Sequence, residues 1–246
     1  MTTAWVVLPT YNERENLATV VTRARAALAD CDPPLEGTVL IVDDGSPDGT
    51  GELAVALAHD HADVRVLHRA RKGGLGGAYL AGFEEALAGG ADLIIEMDAD
   101  LSHDPADLPR LIDAARQGAD VVLGSRYLPG GGVEGWSLHR RLLSRAGGRY
   151  AAIMLGLPLT DLTGGFKCFR RAVLEVLPLD RIKSDGYSFQ IEMHFHVWKR
   201  KFRIIEMPII FTDRLVGQSK MSRRIVWEAA FMVWKLRIAS MLGRIP

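Results

Sequence analysis

Residues 38–60, TVLIVDDGSPDGTGELAVALAHD, decide the fold class because they place a strand, a turn and a helix in immediate succession. The apolar run TVLIV is typical of a buried strand, and GSPDG consists of residues that favour turns. Asp48 is a candidate N-cap for the helix that follows. The stretch therefore predicts a strand–turn–helix unit with Asp43 and Asp44 at the carboxyl end of the strand.

The same unit recurs along the first half of the chain. Further strands are predicted at 4–9, 64–69, 91–98 and 119–127, and further helices at 14–30, 74–89 and 106–118. Strands that alternate with helices indicate βαβ units, and hence an α/β domain whose mostly parallel sheet is covered by helices on both faces. The second half is less regular, with helices predicted at 141–156 and 185–200 and a strand at 202–214 that is broken near Pro208.

Composition excludes several classes of protein. The 246 residues include 30 Lys plus Arg and 30 Asp plus Glu, and this balance argues against a dedicated nucleic-acid-binding protein. The two cysteines, Cys31 and Cys168, give no disulfide framework, so a reducing compartment is expected. The first residues lack the basic segment and long apolar run of a signal peptide.

The C-terminal segment is apolar but is interrupted by Glu228, Lys235 and Arg237. Because Trp227, Phe231, Trp234 and Ile238 recur at helical spacing, the segment is predicted to form an amphipathic or buried helix and not a membrane span.

Polar residues follow four of the predicted strands, at Pro9–Glu13, Asp43–Asp44, Asp98–Asp100 and Gly124–Arg126. In parallel sheets, ligands bind beyond the carboxyl ends of the strands. One ligand that spans these strand ends would account for all four groups.

Asp98 and Asp100 follow a buried strand, and their oxygens suit Mg²⁺ or Mn²⁺ completed by water and substrate phosphate. The alternative is that these carboxylates only solvate the loop and cap the next helix, a role that Asp104 before Pro105 fits. The basic segment with Arg140, Arg141 and Ser144 predicts either a second phosphate site or a solvated helix face.

Other chemistries lack their motifs. The histidines are not spaced for zinc, and neither a G-x-S-x-G nucleophile motif nor a dinucleotide glycine fingerprint after the first strand is present. The glycine-rich RKGGLGGAYLAG has no G-K-[ST] and is predicted to be a flexible loop or a site of tight helix packing.

Eight segments together resemble the dolichol-phosphate (polyprenol-phosphate) mannose synthases, in the right order from about residue 5 to residue 224. They are LPTYNERENL, IVDDGSPDGT, MDADLSHDP, GSRY, GWSLHRRLLSRAG, DLTGGFKCFRR, GYSFQIEM and TDRLVGQSKM. The resemblance implies a single Rossmann-like domain of the GT-A type over residues 1–224. The C-terminal amphipathic helix over 225–246 and the helix near 136–155 would then lie on a membrane surface. The alternative is that the C-terminal helix packs on the sheet or on a membrane-embedded partner.

The activity that the resemblance implies is transfer of mannose from GDP-mannose to a polyprenyl monophosphate with inversion. The product would be a lipid-linked β-mannose made at the cytoplasmic face of a membrane. The alternatives are a polyprenyl-phosphate glucosyltransferase that uses UDP-glucose and a non-catalytic nucleotide-sugar sensor. The sensor is disfavoured because the set of Asp98, Asp100, Arg126, Arg140 and Lys220 is intact.

Site residues are carried over position by position from the resemblance. Donor-binding residues would be Pro9, Tyr11, Glu13, Val42, Asp44, Asp98, Ala99, Asp100, Arg126, Arg214 and Lys220. Metal ligands would be Asp98, Asp100 and Ser102, and the acceptor phosphate would meet Arg126, Arg140 and Ser144. Asp100, Arg126 and Arg140 are the predicted catalytic residues.

Overall fold

The computed structural model describes residues 1–213 and 223–243, with the side chains of 223–229 excepted. The strands are β1 (Thr3–Thr10), β2 (Glu36–Asp43), β3 (Val64–His68), β4 (Leu93–Glu96), β5 (Val121–Ser125), β6 (Gly132–Glu134), β7 (Lys167–Arg170), β8 (Ile204–Pro208) and β9 (Ile210–Thr212). The α-helices are α1 (Arg14–Ala29), α2 (Thr50–Asp60), α3 (Gly74–Ala88), α4 (Leu108–Arg116), α5 (Leu138–Leu155), α6 (Arg171–Val176), α7 (Gly186–Lys199) and α8 (Arg223–Met241).

A seven-stranded sheet organises the domain, in the order β3-β2-β1-β4-β7-β5-β8. Strand β7 runs antiparallel to both of its neighbours, and the other neighbouring strands are parallel. A second, two-stranded sheet pairs β6 with β9. The carboxyl ends of β1, β2, β4 and β5 therefore meet at one edge of the large sheet.

Alternating side chains of β1 face two separate cores. Val6 and Leu8 pack with α1 and α4 on one face of the sheet, whereas Trp5 and Val7 pack with α3 and α7 on the other. Because successive side chains of a strand point to opposite faces, a strand that is apolar throughout needs helices on both sides. The predicted α/β fold with a mostly parallel, doubly covered sheet is confirmed.

Helices α5 and α8 meet beside α7 and form a third core. Leu155, Phe195, Val233 and Leu236 are buried there. The outer sides of both helices carry exposed apolar residues: Leu138, Leu142, Ile153, Phe231, Trp234 and Ile238. Over the residues with described placement, every helix is too short or too polar to cross a bilayer.

Two local features refine the sequence prediction. Asp104 accepts a hydrogen bond from the Ala106 amide and caps a short 3-10 helix that begins at Pro105, as predicted. Strand β7 was not predicted as a strand, because its sequence KCFR lacks a clear apolar run. It is nevertheless central, and it brings Lys167 into register with Glu96 of β4.

Candidate active site

A cavity of about 490 Å³ opens at the carboxyl edge of the large sheet. Residues predicted from all four strand ends line it together with Arg140 of α5: Pro9, Tyr11, Glu13, Asp44, Asp98, Ala99, Asp100 and Arg126. The chain thus gathers in one place side chains that are more than a hundred residues apart in sequence.

Three other predicted site residues are placed next to the lining. Val42 is fully buried in the core, and its carbonyl accepts a hydrogen bond from the Thr10 hydroxyl. The Ser102 hydroxyl donates a hydrogen bond to Asp100, and the Ser144 hydroxyl accepts one from Tyr127. Arg214 and Lys220 lie outside the residues that the structure describes, so their predicted roles stay predictions.

Asp44 anchors the glycine-rich segment at one end of the cavity. Its carboxylate accepts hydrogen bonds from Arg69 Nη1 at 2.5 Å, from the Gly73 amide at 2.8 Å and from the Gly74 amide at 3.1 Å. The Gly76 amide donates to Asp185 at 2.8 Å. The glycine-rich segment therefore binds two of the chain's own carboxylates, which agrees with the predicted tight packing at the start of α3.

An aromatic side chain and a cationic side chain line the same cavity as Asp44. Lys72 Nζ stands 3.5 Å from the centroid of the Tyr11 ring, and both residues line the cavity. Lys72 covers one face of the Tyr11 ring, so a nucleobase would stack on the opposite face. This end of the cavity is suited to the base of a nucleotide.

Asp98 and Asp100 lie deeper in the cavity, just beyond β4. Tyr79 donates its hydroxyl proton to Asp98 Oδ1 at 2.8 Å, and the Asp98 amide donates to His103 Nδ1 at 3.2 Å. Asp100 Oδ1 accepts hydrogen bonds from the Ser102 amide at 3.0 Å and from its hydroxyl at 2.5 Å. Tyr79 thus orients the Asp98 carboxylate, and Ser102 orients the Asp100 carboxylate.

These residues fit a hard divalent cation. Carboxylate oxygens are the protein ligands that Mg²⁺ and Mn²⁺ prefer, with phosphate oxygens and water completing the shell. Among the described lining residues, the acidic side chains Glu13, Asp44, Asp98, Asp100, Asp185 and Asp213 outnumber the basic Lys72, Arg126 and Arg140. An anionic ligand would enter such a cavity more readily with a bound cation.

Arg126 is held by a buried carboxylate that lies 35 residues away in sequence. Its Nε and Nη2 donate to the two oxygens of Asp161 at 2.7 Å each, and Nη2 also donates to the Thr163 hydroxyl. Burial acts to lower the pKa of Arg126, but the charge and hydrogen bonds of Asp161 outweigh it and the pKa lies above its usual value. The remaining Nη1 makes no hydrogen bond to the described part of the chain.

Arg140 of α5 is held in a similar way. Its Nη1 contacts both carboxylate oxygens of Asp213, at 3.1 and 3.0 Å, and its guanidinium stacks 4.0 Å from the centroid of the Trp136 ring. Ser144, one turn further along α5, accepts a hydrogen bond from the Tyr127 hydroxyl at 2.7 Å. The cationic side of the cavity is therefore assembled by contacts between distant segments.

Sequence reasoning missed the partners that hold these predicted residues. Asp161, Asp213 and Tyr79 each support a side chain of the site. Asp161 and Asp213 belong to two of the eight motif segments, and Tyr79 belongs to the glycine-rich segment. Asp161 in DLTGG is typical of a turn, and Tyr79 is typical of a helix core. Their functions depend on three-dimensional neighbours that the chain order does not indicate.

Comparison with known proteins agrees with this geometry. Residues 5–177 match the family described as "Glycosyl transferase family 2". The chain is 47% identical over 234 residues to an undecaprenyl-phosphate mannosyltransferase of Micrococcus luteus, covering 95% of this chain and 93% of that protein. It is 46% identical over 240 residues to a polyprenol monophosphomannose synthase of Mycolicibacterium smegmatis, covering 97% and 88%.

A similar fold occurs in glucosyl-3-phosphoglycerate synthase from Mycobacterium tuberculosis, crystallised with Mn²⁺, UDP-glucose and phosphoglyceric acid. The TM-score is 0.69 at 19% identity, with 96% of this chain and 80% of that chain covered. This likeness shows the fold, and the closer sequence relatives show the family. The chain is a glycosyltransferase that belongs to glycosyl transferase family 2, within the group of polyprenol-phosphate mannose synthases.

Proposed function

We propose that this enzyme transfers mannose from GDP-mannose to a polyprenyl, dolichyl-type monophosphate and inverts the anomeric centre. The observation that carries the proposal is one cavity lined both by the carboxylates Asp98 and Asp100 and by the guanidinium groups of Arg126 and Arg140. Such a lining offers separate contacts for a metal-bound diphosphate and for an acceptor phosphate. The names of the sequence relatives support mannose as the sugar and a polyprenyl phosphate as the acceptor.

Asp98 and Asp100 would hold a Mg²⁺ or Mn²⁺ ion at the donor diphosphate, with Ser102 as a further predicted ligand. When bound, the metal supplies positive charge against the negative charge that grows on the leaving diphosphate. The protein's own contribution is to orient the two carboxylates through Tyr79 and Ser102, while His103 accepts a hydrogen bond from the Asp98 backbone amide. Arg214 and Lys220 are predicted to close over the same diphosphate.

At the other end of the donor, Tyr11 and Asp44 would hold the guanosine, together with Pro9, Glu13 and Val42. The Tyr11 ring offers a stacking face, and the Asp44 carboxylate offers an acceptor for base N–H groups. Asp44 is already oriented by Arg69 and two backbone amides. The base would therefore bind a carboxylate whose orientation is already fixed.

The acceptor phosphate would lie at Arg126, Arg140 and Ser144. A phosphate monoester is largely ionised at neutral pH because its second pKa is about 6, so its oxygen can attack without a strong general base. The chain's task is then to position that oxygen behind the anomeric carbon and to limit repulsion between two phosphates. Attack from the face opposite the leaving diphosphate turns an α-mannosyl donor into a β-mannosyl product.

The acceptor is a lipid, and exposed apolar residues lie next to its predicted phosphate site. Leu138 and Leu142 of α5 are 72% and 60% exposed, and Phe231 of α8 is 72% exposed. An amphipathic face of this kind binds at the boundary of headgroups and acyl chains. The proposal is that residues 225–246 with α5 hold the catalytic domain, residues 1–224, peripherally at the cytoplasmic face of the membrane.

A transfer assay tests the proposed function. The protein is incubated with polyprenyl phosphate in vesicles, with radiolabelled GDP-mannose or UDP-glucose, and with Mg²⁺, Mn²⁺ or EDTA. Labelled lipid is expected from GDP-mannose alone and only with a divalent metal. Label from UDP-glucose in place of GDP-mannose would refute the donor, and transfer that survives EDTA would refute the metal.

Vesicle flotation tests the membrane surface. Phe231→Ser/Trp234→Ser is expected to lower recovery with phosphatidylglycerol-containing vesicles by at least about tenfold, because two large apolar side chains no longer enter the lipid. The matched control is Val55→Ser/Val176→Ser, which changes two exposed apolar residues elsewhere on the domain. Equal flotation of both variants, or binding only with a membrane-embedded partner, would contradict a direct lipid surface.

A further inference from the structure

Helix α5 carries more positive charge than the proposed mechanism uses. It contains four arginines and neither aspartate nor glutamate, although the whole chain has a net charge of zero. Arg140 contacts Asp213 and lines the cavity. Arg141, Arg145 and Arg149 are exposed, and none of them forms an ion pair with a residue that the structure describes.

Arg141, Arg145 and Arg149 form an arginine stripe along α5, because residues four apart lie on the same side of a helix. The stripe is about 12 Å long, since each helical residue adds about 1.5 Å. Like charges at this spacing destabilise a helix when no opposite charge lies nearby. Anions bound from outside the chain would remove that repulsion.

Apolar side chains run directly beside the arginine stripe. Leu138 and Leu142 each lie three residues before an arginine of the stripe, and Ile153 lies four residues after Arg149; the three are 72%, 60% and 67% exposed. Residues three or four apart are neighbours on a helix surface. An exposed apolar stripe beside a basic one is typical of a helix that lies at the boundary of headgroups and acyl chains.

A groove of about 450 Å³ opens at the end of the arginine stripe. Arg149 lines it together with the apolar residues Ile153, Pro158 and Leu159. A guanidinium binds phosphate oxygens, and the apolar walls suit a hydrocarbon chain. The ligand that combines both groups is a lipid with an anionic phosphate headgroup.

Helix α8, which packs against α5, shows the same combination of residues. Phe231, Trp234 and Ile238 are exposed, and the basic Lys235 and Arg237 beside them are exposed as well. Residues 230–243 include no aspartate or glutamate. Both helices therefore present cations together with apolar side chains.

We infer that the arginine stripe binds the phosphate headgroups of anionic phospholipids in the bilayer. The inference rests on the proposed membrane surface and names the class of lipid that this surface recognises. An anionic leaflet attracts basic residues near its surface, and the planar guanidinium pairs with two phosphate oxygens at once. Because Arg140 belongs to the same helix, this binding also holds the predicted acceptor site at the bilayer.

Flotation tests the inference with the wild type and Arg141→Gln/Arg145→Gln/Arg149→Gln. The vesicles are phosphatidylcholine alone or phosphatidylcholine mixed with phosphatidylglycerol. The variant should partition about 30- to 200-fold more weakly onto the anionic vesicles, because each basic residue near such a surface contributes about fivefold, and within about twofold of the wild type onto neutral ones. Added salt should weaken the anionic partitioning of the wild type far more than that of the variant.

Arg181→Gln/Lys201→Gln/Arg203→Gln is the matched control, since it removes three exposed basic residues outside α5 and changes the net charge equally. It should partition onto the anionic vesicles within about threefold of the wild type. Thermal unfolding checks that each variant is folded. An equal loss in both variants would mean that net charge acts without a specific surface, and would overturn the inference.

Three further outcomes would also overturn it. Equal wild-type flotation on neutral and anionic vesicles, or flotation that requires added polyprenyl phosphate, would leave the proposed apolar surface without a phospholipid preference. Binding only to membranes that retain their proteins would indicate an acidic protein partner. Flotation does not depend on turnover, so a wild type that makes no labelled lipid while the arginine variant still loses anionic partitioning would refute the proposed transfer alone.

Discussion

The cavity has a carboxylate side and a cationic side, and the residues that hold each side come from different parts of the chain. Asp98 and Asp100 follow β4 directly. Ser102 of the same loop holds the Asp100 carboxylate, and Tyr79, 19 residues before Asp98, holds the Asp98 carboxylate. Arg126, in contrast, depends on Asp161, and Arg140 depends on Asp213, which lies 73 residues away. The carboxylate side is thus built locally from a strand end. The cationic side is built from ion pairs between distant segments.

This difference has a physical reason. Asp100 is 3% exposed, and hydrogen bonds from the amide and hydroxyl of Ser102 in the same short loop hold its carboxylate. A guanidinium that is 5% exposed needs an opposite charge, because an unpaired buried charge is very costly. The two sides should therefore respond differently to mutation, with activity lost on one side and both stability and activity lost on the other.

The largest effect is expected on the carboxylate side. Asp100→Ala should lower transfer by at least about 10²- to 10³-fold because the diphosphate charge is no longer neutralised, while the melting temperature changes little. Steady-state transfer and thermal unfolding measure the two quantities. The matched control is Asp104→Ala in the same loop, which removes a cap at a cost of about 1 kcal/mol and should keep turnover. Retained turnover in Asp100→Ala would mean that this carboxylate serves only to stabilise the loop.

Breaking the cationic side should cost stability as well. Asp161→Ala is expected to lower the free energy of unfolding by about 3–5 kcal/mol, because Arg126 remains buried without its partner. Denaturant unfolding measures this change, with Glu175→Ala at an exposed pair as the control, expected to cost about 0.3–0.5 kcal/mol.

A double variant separates stability from function on that side. Asp161→Ala/Arg126→Met removes both charges and should recover most of the lost free energy of unfolding, yet transfer should stay low because the Arg126 guanidinium no longer faces the acceptor and Arg140 remains alone. Full recovery of transfer in the double variant would contradict a catalytic role for Arg126.

The same contrast explains what the sequence could predict. Strands β1, β2, β4 and β5 are continuous apolar runs, and the polar residues after them necessarily meet at one edge once the strands are parallel. The first half of the fold and the carboxylate side of the site follow from that rule. Asp98 and Asp100 line the cavity as predicted from their position after β4.

The cationic side could not be predicted in the same way. Strand β7 has only four residues, KCFR. Its Lys167 pairs with Glu96, which lies 71 residues earlier in the chain. The pairing of Arg126 with Asp161 likewise depends on how the second half folds back onto β5. Motif resemblance placed Arg126 and Arg140 in the site, but it did not indicate the carboxylates that hold them.

The buried His196 of α7 should make the free energy of unfolding depend on pH. Burial first, and the nearby Arg200 next, lower the pKa of His196 on α7 to about 4. Arg200 Nη1 lies 3.2 Å from His196 Nδ1, and Glu192 Oε1 lies 3.9 Å from Nε2. Donation from the Arg200 guanidinium to Nδ1 requires a neutral imidazole, so His196 is protonated at lower pH in the folded state than in the unfolded chain.

Between pH 6.5 and about 4, the unfolded chain should bind a proton at His196 that the folded protein does not bind. Stability should therefore fall as pH falls through this window, with His196 contributing up to about 1.4 kcal/mol per pH unit. The free energy of unfolding of His196→Gln should fall less steeply, whereas His59→Gln, at an exposed histidine, should follow the wild type. Parallel slopes for the wild type and His196→Gln would contradict this origin.

The smallest expected effect concerns Ser144, at the rim of the cationic side. If its hydroxyl binds the acceptor phosphate, Ser144→Ala should raise the KM for polyprenyl phosphate about 2- to 12-fold and leave the KM for GDP-mannose unchanged. Tyr127→Phe removes only the hydroxyl that donates to Ser144 and should have a smaller effect on the same constant. Equal effects of the two variants would mean that Ser144 serves to hold Tyr127 in place. The arginines would then be left to bind the acceptor phosphate on this side of the cavity.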